Sequence, residues 1–144
     1  MKNFFKVGVL ALVLVLVSGC GSSKGKVLTC TNSDEESGMK MSQTIKITFS
    51  GDKASKIVQD YVIDFGEENK SMASVYTAMF EASYKDLKGV SVKSSTKGTK
   101  ATFTLTAEVS KMDDAAKEKM DLDNLDKSYD DIKKSAEDSG FKCK

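Results

Sequence analysis

Met39-Lys-Met-Ser-Gln-Thr-Ile-Lys-Ile-Thr-Phe-Ser50 is the stretch that decides the fold. Met39, Met41, Ile45, Ile47 and Phe49 fall on one side of an extended chain; Lys40, Ser42, Thr44, Lys46 and Thr48 fall on the other. Period two marks a half-buried strand, because successive side chains leave a pleated backbone on opposite faces. Ser50-Gly-Asp-Lys53 then reads as a turn. From Lys56 to Phe65 the alternation returns, with Ile57, Tyr61, Ile63 and Phe65 inward. Val58 and Val62 blur the other face and imply that it is partly covered. The two runs predict an antiparallel hairpin.

Downstream the period changes. Met72, Val75, Tyr76, Met79, Phe80, Ser83 and Leu87 recur at three- and four-residue steps, one apolar helical stripe. The helix is expected to start near Asn69 or Ser71 and to end at Gly89, a residue suited to a left-handed cap. Val90 and Val92 open another strand, and Ser94 through Thr99 reads as a turn region. Ala101, Phe103, Leu105, Ala107 and Val109 then face inward opposite Thr102, Thr104, Thr106 and Glu108. A weaker helical pattern covers Lys111 to Met120. A last helix carries Tyr129, Ile132 and Ala136, opened by a Ser128/Asp131 variant of the capping box and closed at Gly140.

Upstream, Lys26 to Thr31 is a short strand candidate. The polar, acidic Asn32 to Gly38 reads as a loop. The predicted class is α+β: an antiparallel sheet of five or six strands with two main helices on one face and a polar face outward. Residues 39–88 and 90–139 each read as hairpin then helix, a pseudo-repeat. The expected inward set includes Ile45, Ile47, Phe49, Ile57, Tyr61, Ile63, Val75, Met79, Phe80, Phe103, Leu105 and Val109.

The first 26 residues carry an address. A cationic start, Met1-Lys-Asn-Phe-Phe-Lys6, precedes an apolar run from Val7 to Val17 that is too short to span a bilayer. Val17-Ser-Gly-Cys20 resembles the lipobox of bacterial lipoproteins. The resemblance implies removal of residues 1–19 as a signal peptide and a covalent diacylglycerol on Cys20. Residues 20–26 are then a short flexible tether, and 27–144 a single domain. The expected location is the extracytoplasmic face of the cell membrane, with the lipid bilayer as a partner through the anchor.

Three cysteines are present. With Cys20 assigned to lipid, Cys30 and Cys143 remain, one near each end of the domain. Outside the cytoplasm an even pair reads as a disulfide, with two free thiols or a redox pair as the alternatives.

Composition excludes several chemistries. Every one of the 22 basic residues is lysine. Losing Lys2 and Lys6 with the leader leaves 20 lysines against 21 acidic residues, so the domain is almost neutral. Nucleic-acid binding is not expected, since it needs a basic patch and favours bidentate arginine. Histidine is absent, and with it the commonest general base. Asp121, Asp123, Asn124 and Asp126 do not match a calcium loop, because Leu125 and Asp126 stand where an acidic or amide ligand and glycine are required. Met39 and Met41 place two thioethers on one strand face, a soft-metal pattern, but their apolar neighbours point to core packing. Asp60 and Asp64, four strand residues apart, are separated by about 13 Å, wider than a glycosidase pair. No metal and no cofactor besides the lipid is expected. The candidate binding surface is the polar sheet face of Lys46, Thr48, Thr102, Thr104 and Thr106. A helix pair left with surplus apolar area, or an unprotected sheet edge, would make a better recognition site, and the sequence shows neither.

The layout as a whole resembles the YehR-like bacterial lipoproteins, small lipid-anchored α+β proteins. The lipobox at Cys20, the hairpin string Ile45-Lys-Ile-Thr-Phe-Ser-Gly-Asp-Lys53, the amphipathic helix after it and the late Ser128-Tyr-Asp-Asp-Ile-Lys-Lys134 helix carry the resemblance. Leu-Thr-Cys30-Thr and Phe-Lys-Cys143-Lys look like features of Gram-positive members. The resemblance implies a fold and an anchor and supplies no catalytic residue. The functional expectation is a non-enzymatic binding or structural protein of the cell envelope, engaging an envelope protein, wall component or small ligand. The alternative is a carboxylate-dependent envelope hydrolase.

Overall fold

The alternating run of residues 39–65 forms the middle of the sheet. The computed structural model of the protein describes residues 25–122 and 125–144. The leader, the lipobox with Cys20, and Asp123 and Asn124 of the acidic linker lie outside the described residues. Six strands make a single antiparallel sheet: β1 (Val27–Glu36), β2 (Met39–Ser50), β3 (Lys53–Asp64), β4 (Val90–Lys97), β5 (Lys100–Glu108) and β6 (Lys142–Cys143). Their spatial order is β4-β5-β3-β2-β1-β6. Three helices complete the fold: α1 (Lys70–Tyr84), α2 (Asp114–Lys119) and α3 (Tyr129–Asp138).

Register explains which side chains meet. Ile47 lies opposite Ile57, and Ile57 opposite Ala107, so apolar side chains line up across three strands on one face. The β2–β3 register shifts after Thr48, leaving Ser55 as the extra residue. Its hydroxyl donates to the Thr48 carbonyl at 3.0 Å. The bulge lets Ala54 face inward opposite Phe49, and both are buried.

Several sequence expectations change here. Asn32 to Glu36 is not loop: β1 runs on to Glu36, paired residue for residue with β2, and only Ser37-Gly38 turns. Its polarity reflects an exposed strand end, and backbone pairing with β2 overrides weak strand propensity. Ser94 to Lys97 likewise continues β4, paired with β5, so the turn shrinks to Gly98-Thr99. Helix α1 stops at Tyr84, five residues before Gly89. Val109 leaves β5 and opens a 3-10 turn. The second half of the pseudo-repeat holds two helices, a one-and-a-half-turn α2 and then α3. Ser128 does cap α3, accepting from the Asp131 backbone N–H at 3.3 Å.

All three helices lie on the same sheet face. Phe80 of α1 packs on Phe103 and Tyr61, and Tyr129 of α3 on Phe49. Ala116 in α2 and Met120 just after it join Ile57 and Leu105 in one core cluster with Leu28, Cys30, Ile47 and Phe49. A second cluster holds Ile63, Phe65, Ala73, Ala101 and Phe103 under the start of α1. Cys30 and Cys143 are direct cross-strand partners, with Cα atoms 4.1 Å apart and sulfurs at disulfide distance, 1.99 Å. That pair holds the last strand to the first.

Candidate functional site

Helix α1 is asymmetric, and the asymmetry creates the site. Ala73, Phe80 and Tyr84 face the sheet. On one flank, Thr77 Oγ1 meets Thr96 Oγ1 of β4 at 2.8 Å, and Glu81 accepts from Ser94 of β4. The other flank turns toward β3, since Tyr76 packs on Phe65 and Phe80 edge-on to Tyr61. Met72, Tyr76 and Met79 occupy that second flank, with Val75 above it. All four are between 41% and 64% exposed. Val75 and Met79 were expected inward, and Met72 belonged to the same stripe. The apolar positions of this helix cover ~200° of arc at 100° per residue, twice what one sheet contact needs. The sheet takes one half and leaves the other in water.

Across from this wall lies the distal end of the sheet. Met41 pairs with Ile63, Gln43 with Tyr61, and Asp34 with Met41, all on the helix-bearing face. Met39 and Met41 were expected to be core; they are 40% and 43% exposed, because α2, α3 and the chain around them cover only the proximal part of this face. The result is an open apolar trough. Its floor is Met41, Gln43 and Tyr61, continued by the end of β1, and the free flank of α1 stands on one side. An open depression within it is lined by Asn32, Ser33, Asp34, Met41 and Gln43. Tyr61 anchors the floor: its hydroxyl accepts from Gln43 Nε2 at 2.8 Å and donates to the buried Gln59 Oε1 at 3.2 Å. Burial, with a smaller contribution from Tyr84, pushes the Tyr61 phenol up to about 12. It is a neutral, fixed group at physiological pH.

Beside this trough the outer edge of β1 is unpaired among the described residues. β6 pairs with β1 only around Cys30 and Thr31. Asn32 to Glu36 therefore has no strand on that side among the described residues. Asp34, Glu35 and Glu36 occupy it, charges that discourage strand-to-strand association.

The polar residues expected from sequence share the opposite side of the sheet. Lys46 lies opposite Val58, and Val58 opposite Thr106; Thr44, Asp60 and Thr104 form the next row. Thr48 lies opposite Lys56. Thr104 donates to Asp60 Oδ1 at 2.7 Å, and Thr102 shares a hydroxyl contact with Ser95. Its hydroxyls are thus partly used within the sheet, and Val62 there is exposed.

Carboxylates on this surface are tied to separate partners. Asp60 is held by Thr104, while Asp64 accepts from the Gly66 N–H and pairs with Lys100 at 3.6 Å. Hydrogen bonds from Thr99 and Gly66, aided by Lys100, hold the Asp64 carboxyl below the usual carboxylate range. Glu108 is lowered too, chiefly by Lys111. A general acid at neutral pH needs a shift in the opposite direction. Among the described residues no group of three or more His, Cys, Asp or Glu side chains is placed to hold a metal ion.

Solved structures with this architecture exist. One is the E. coli YehR protein, determined by NMR: TM-score 0.62, 21% identity, over 84% of this chain and 93% of that one. The chain has a YehR-like fold. Another is a protein from Streptococcus pneumoniae TIGR4, also determined by NMR. It matches with a TM-score of 0.59 at 13% identity, over 100% of this chain and 99% of the other. No protein-family model and no curated protein sequence matches the chain. At these identities the likeness concerns the fold.

The trough could have been found in the sequence by one signal. Ala73, Phe80 and Tyr84 form a complete helical stripe without Met72, Val75 and Met79. A helix with two apolar stripes has one to spare.

Proposed function

We propose that this protein is a lipid-anchored extracytoplasmic lipoprotein that binds a partner through the trough between α1 and the distal ends of β1 and β2. It works without catalysis. The observation that carries the reading is the set of large apolar side chains left in water together on one side of the sheet: Met39, Met41, Met72, Val75, Tyr76 and Met79. Contiguous exposed apolar surface is uncommon on a monomer and marks interaction sites. Methionine suits such a surface, because its unbranched thioether adapts to the shape it meets.

The anchor is part of the proposal. The Val17-Ser-Gly-Cys20 lipobox supports a diacylglyceryl Cys20 as the mature first residue, and two acyl chains suffice for stable attachment. The Cys30–Cys143 pair at disulfide distance suits an oxidising compartment. Intact-mass measurement of the membrane fraction is expected to show residues 1–19 removed and lipid added. A Cys20→Ser chain should leave the membrane fraction; retention there would refute the anchor.

The binding reading is tested with a photo-crosslinking amino acid placed in intact cells at Met79 in the trough and at Thr104 on the polar face. Discrete crosslinked products from position 79, absent from position 104, are expected. Products confined to position 104 would move the binding surface to the polar face.

A further inference from the structure

We propose that the occupant of the trough is a cationic amphipathic helix of another protein or peptide, laid with its apolar side on the methionines and its basic side toward an acidic rim. The inference rests on the binding reading above and specifies its partner class.

Charge supplies the first argument. Each exposed methionine of β2 has a carboxylate as its cross-strand neighbour: Asp34 opposite Met41 and Glu36 opposite Met39. Direct antiparallel partners project to the same face, so thioether and carboxylate stand side by side. The second acidic group sits on the α1 side. Glu67 and Glu68 form the 3-10 turn that leads into α1, just ahead of Met72. The two groups converge, because the β1–β2 turn meets the β3–α1 connection: a Cβ on Gly66 would lie 3.5 Å from the Gly38 carbonyl oxygen. Three lysines are paired away from this surface. Lys40 projects to the opposite face and pairs with Glu35 at 3.6 Å, Lys100 pairs with Asp64 there, and Lys133 of α3 is 3.9 Å from Glu137. Glu67 and Glu68 also complement the α1 dipole, and the β1 acids guard a strand edge. Neither role requires that both groups border the same apolar surface.

Position supplies the second argument. The chain enters β1 at Val27, whose partner Thr48 lies at the proximal end, and the trough lies at Glu36 and Met39, the distal end. Ten strand residues set these ends ~30 Å apart. Any anchor on the preceding residues attaches at the end away from the trough, which disfavours the bilayer as occupant. A second copy is disfavoured by the same acids, since two like-charged rims would face each other. What fits is a helix with lysine or arginine beside its apolar stripe. The stripe from Met72 to Met79 extends ~10 Å along α1, the length of about two helical turns of a partner.

The test uses the full-length lipoprotein in phosphatidylcholine nanodiscs with 13C-labelled methionine methyls. Two designed peptides of about four turns share one leucine face and carry either lysines or glutamates opposite it. The Leu/Lys peptide is expected to shift the Met39, Met41, Met72 and Met79 signals, to leave the buried Met112 and Met120 unmoved, and to bind at least tenfold tighter than the Leu/Glu peptide. Asp34→Lys/Glu36→Lys should remove that preference, and Met72→Gln/Met79→Gln should abolish Leu/Lys binding. Unmoved Met112 and Met120 signals certify that each variant is folded. Equal or tighter binding of the Leu/Glu peptide overturns the inference. So does binding that survives the Met72→Gln/Met79→Gln change. Lipid-dependent shifts of the four methyls without peptide would identify the bilayer as occupant, and concentration-dependent shifts a second copy. If neither peptide binds while position 79 still crosslinks in cells, the cationic class is wrong and the binding surface stands.

Discussion

At the scale of single residues, burial separates two apolar side chains that look equivalent in the sequence. Phe103 is buried against Phe80 and Tyr76, whereas Met79 is 64% exposed. Phe103→Ala should cost about 3–5 kcal/mol in denaturant unfolding. Met79→Ala should change stability by less than about 0.5 kcal/mol. A large loss at Met79 would mean that the trough is closed in solution. Tyr61 gives a pH signature. Its phenol is pushed up to about 12, so the folded state favours the neutral form. That contribution is fully present below the ordinary tyrosine value of about 10 and is lost as pH rises through the folded value. Ultraviolet titration should show Tyr61 as a late-ionising phenol, absent in Tyr61→Phe. An ordinary midpoint for Tyr61 would contradict its burial.

At the scale of elements, strands were legible wherever one face is buried, and boundaries failed wherever neither is. The Met39–Phe65 alternation reads directly as β2 and β3, because the pleat sorts apolar from polar side chains. Asn32 to Glu36 and Ser94 to Lys97 have no such sorting. They are strands because a partner strand satisfies their backbone. Gly89 was read as the cap of α1 and has a different role. Its φ is +77°, and a Cβ there would lie 2.6 Å from the Lys111 carbonyl carbon. It allows the turn into β4 to pass against the chain that leaves β5. Gly89→Ala should therefore destabilise by about 1–3 kcal/mol, seen as a lower denaturation midpoint. A neutral result would require the chain around Lys111 to yield. Ser128→Ala, which removes the α3 cap, should cost about 1 kcal/mol.

At the scale of the whole molecule, the Cys30–Cys143 link ties β6 to β1 across a sequence separation of 113 residues. In the chain-entropy model a loop of that length is worth about 4–5 kcal/mol. Cys30→Ser/Cys143→Ser should unfold at correspondingly lower denaturant and still show the same far-ultraviolet circular dichroism, since strands β2 to β5 pair with one another independently of the link. Free alkylation of both thiols in protein exported without reductant would show that the bond is not made. β1 also borders the trough, so loss of the link should also weaken whatever the trough binds.

The sequence by itself determined the central hairpin, the helical segments and the two-sided character of the sheet. Each follows from a local period or from residue type. Only the tertiary structure decided which apolar residues are core. Met41 and Ile47 share one face of one strand, and Met79 and Phe80 are neighbours on one helix. Ile47 and Phe80 are covered because α2, α3 and the sheet happen to reach them; Met41 and Met79 lie where none of the described residues does. Periodicity tells which side a residue faces. Burial depends on what arrives on that side from elsewhere in the chain, and no local pattern encodes it.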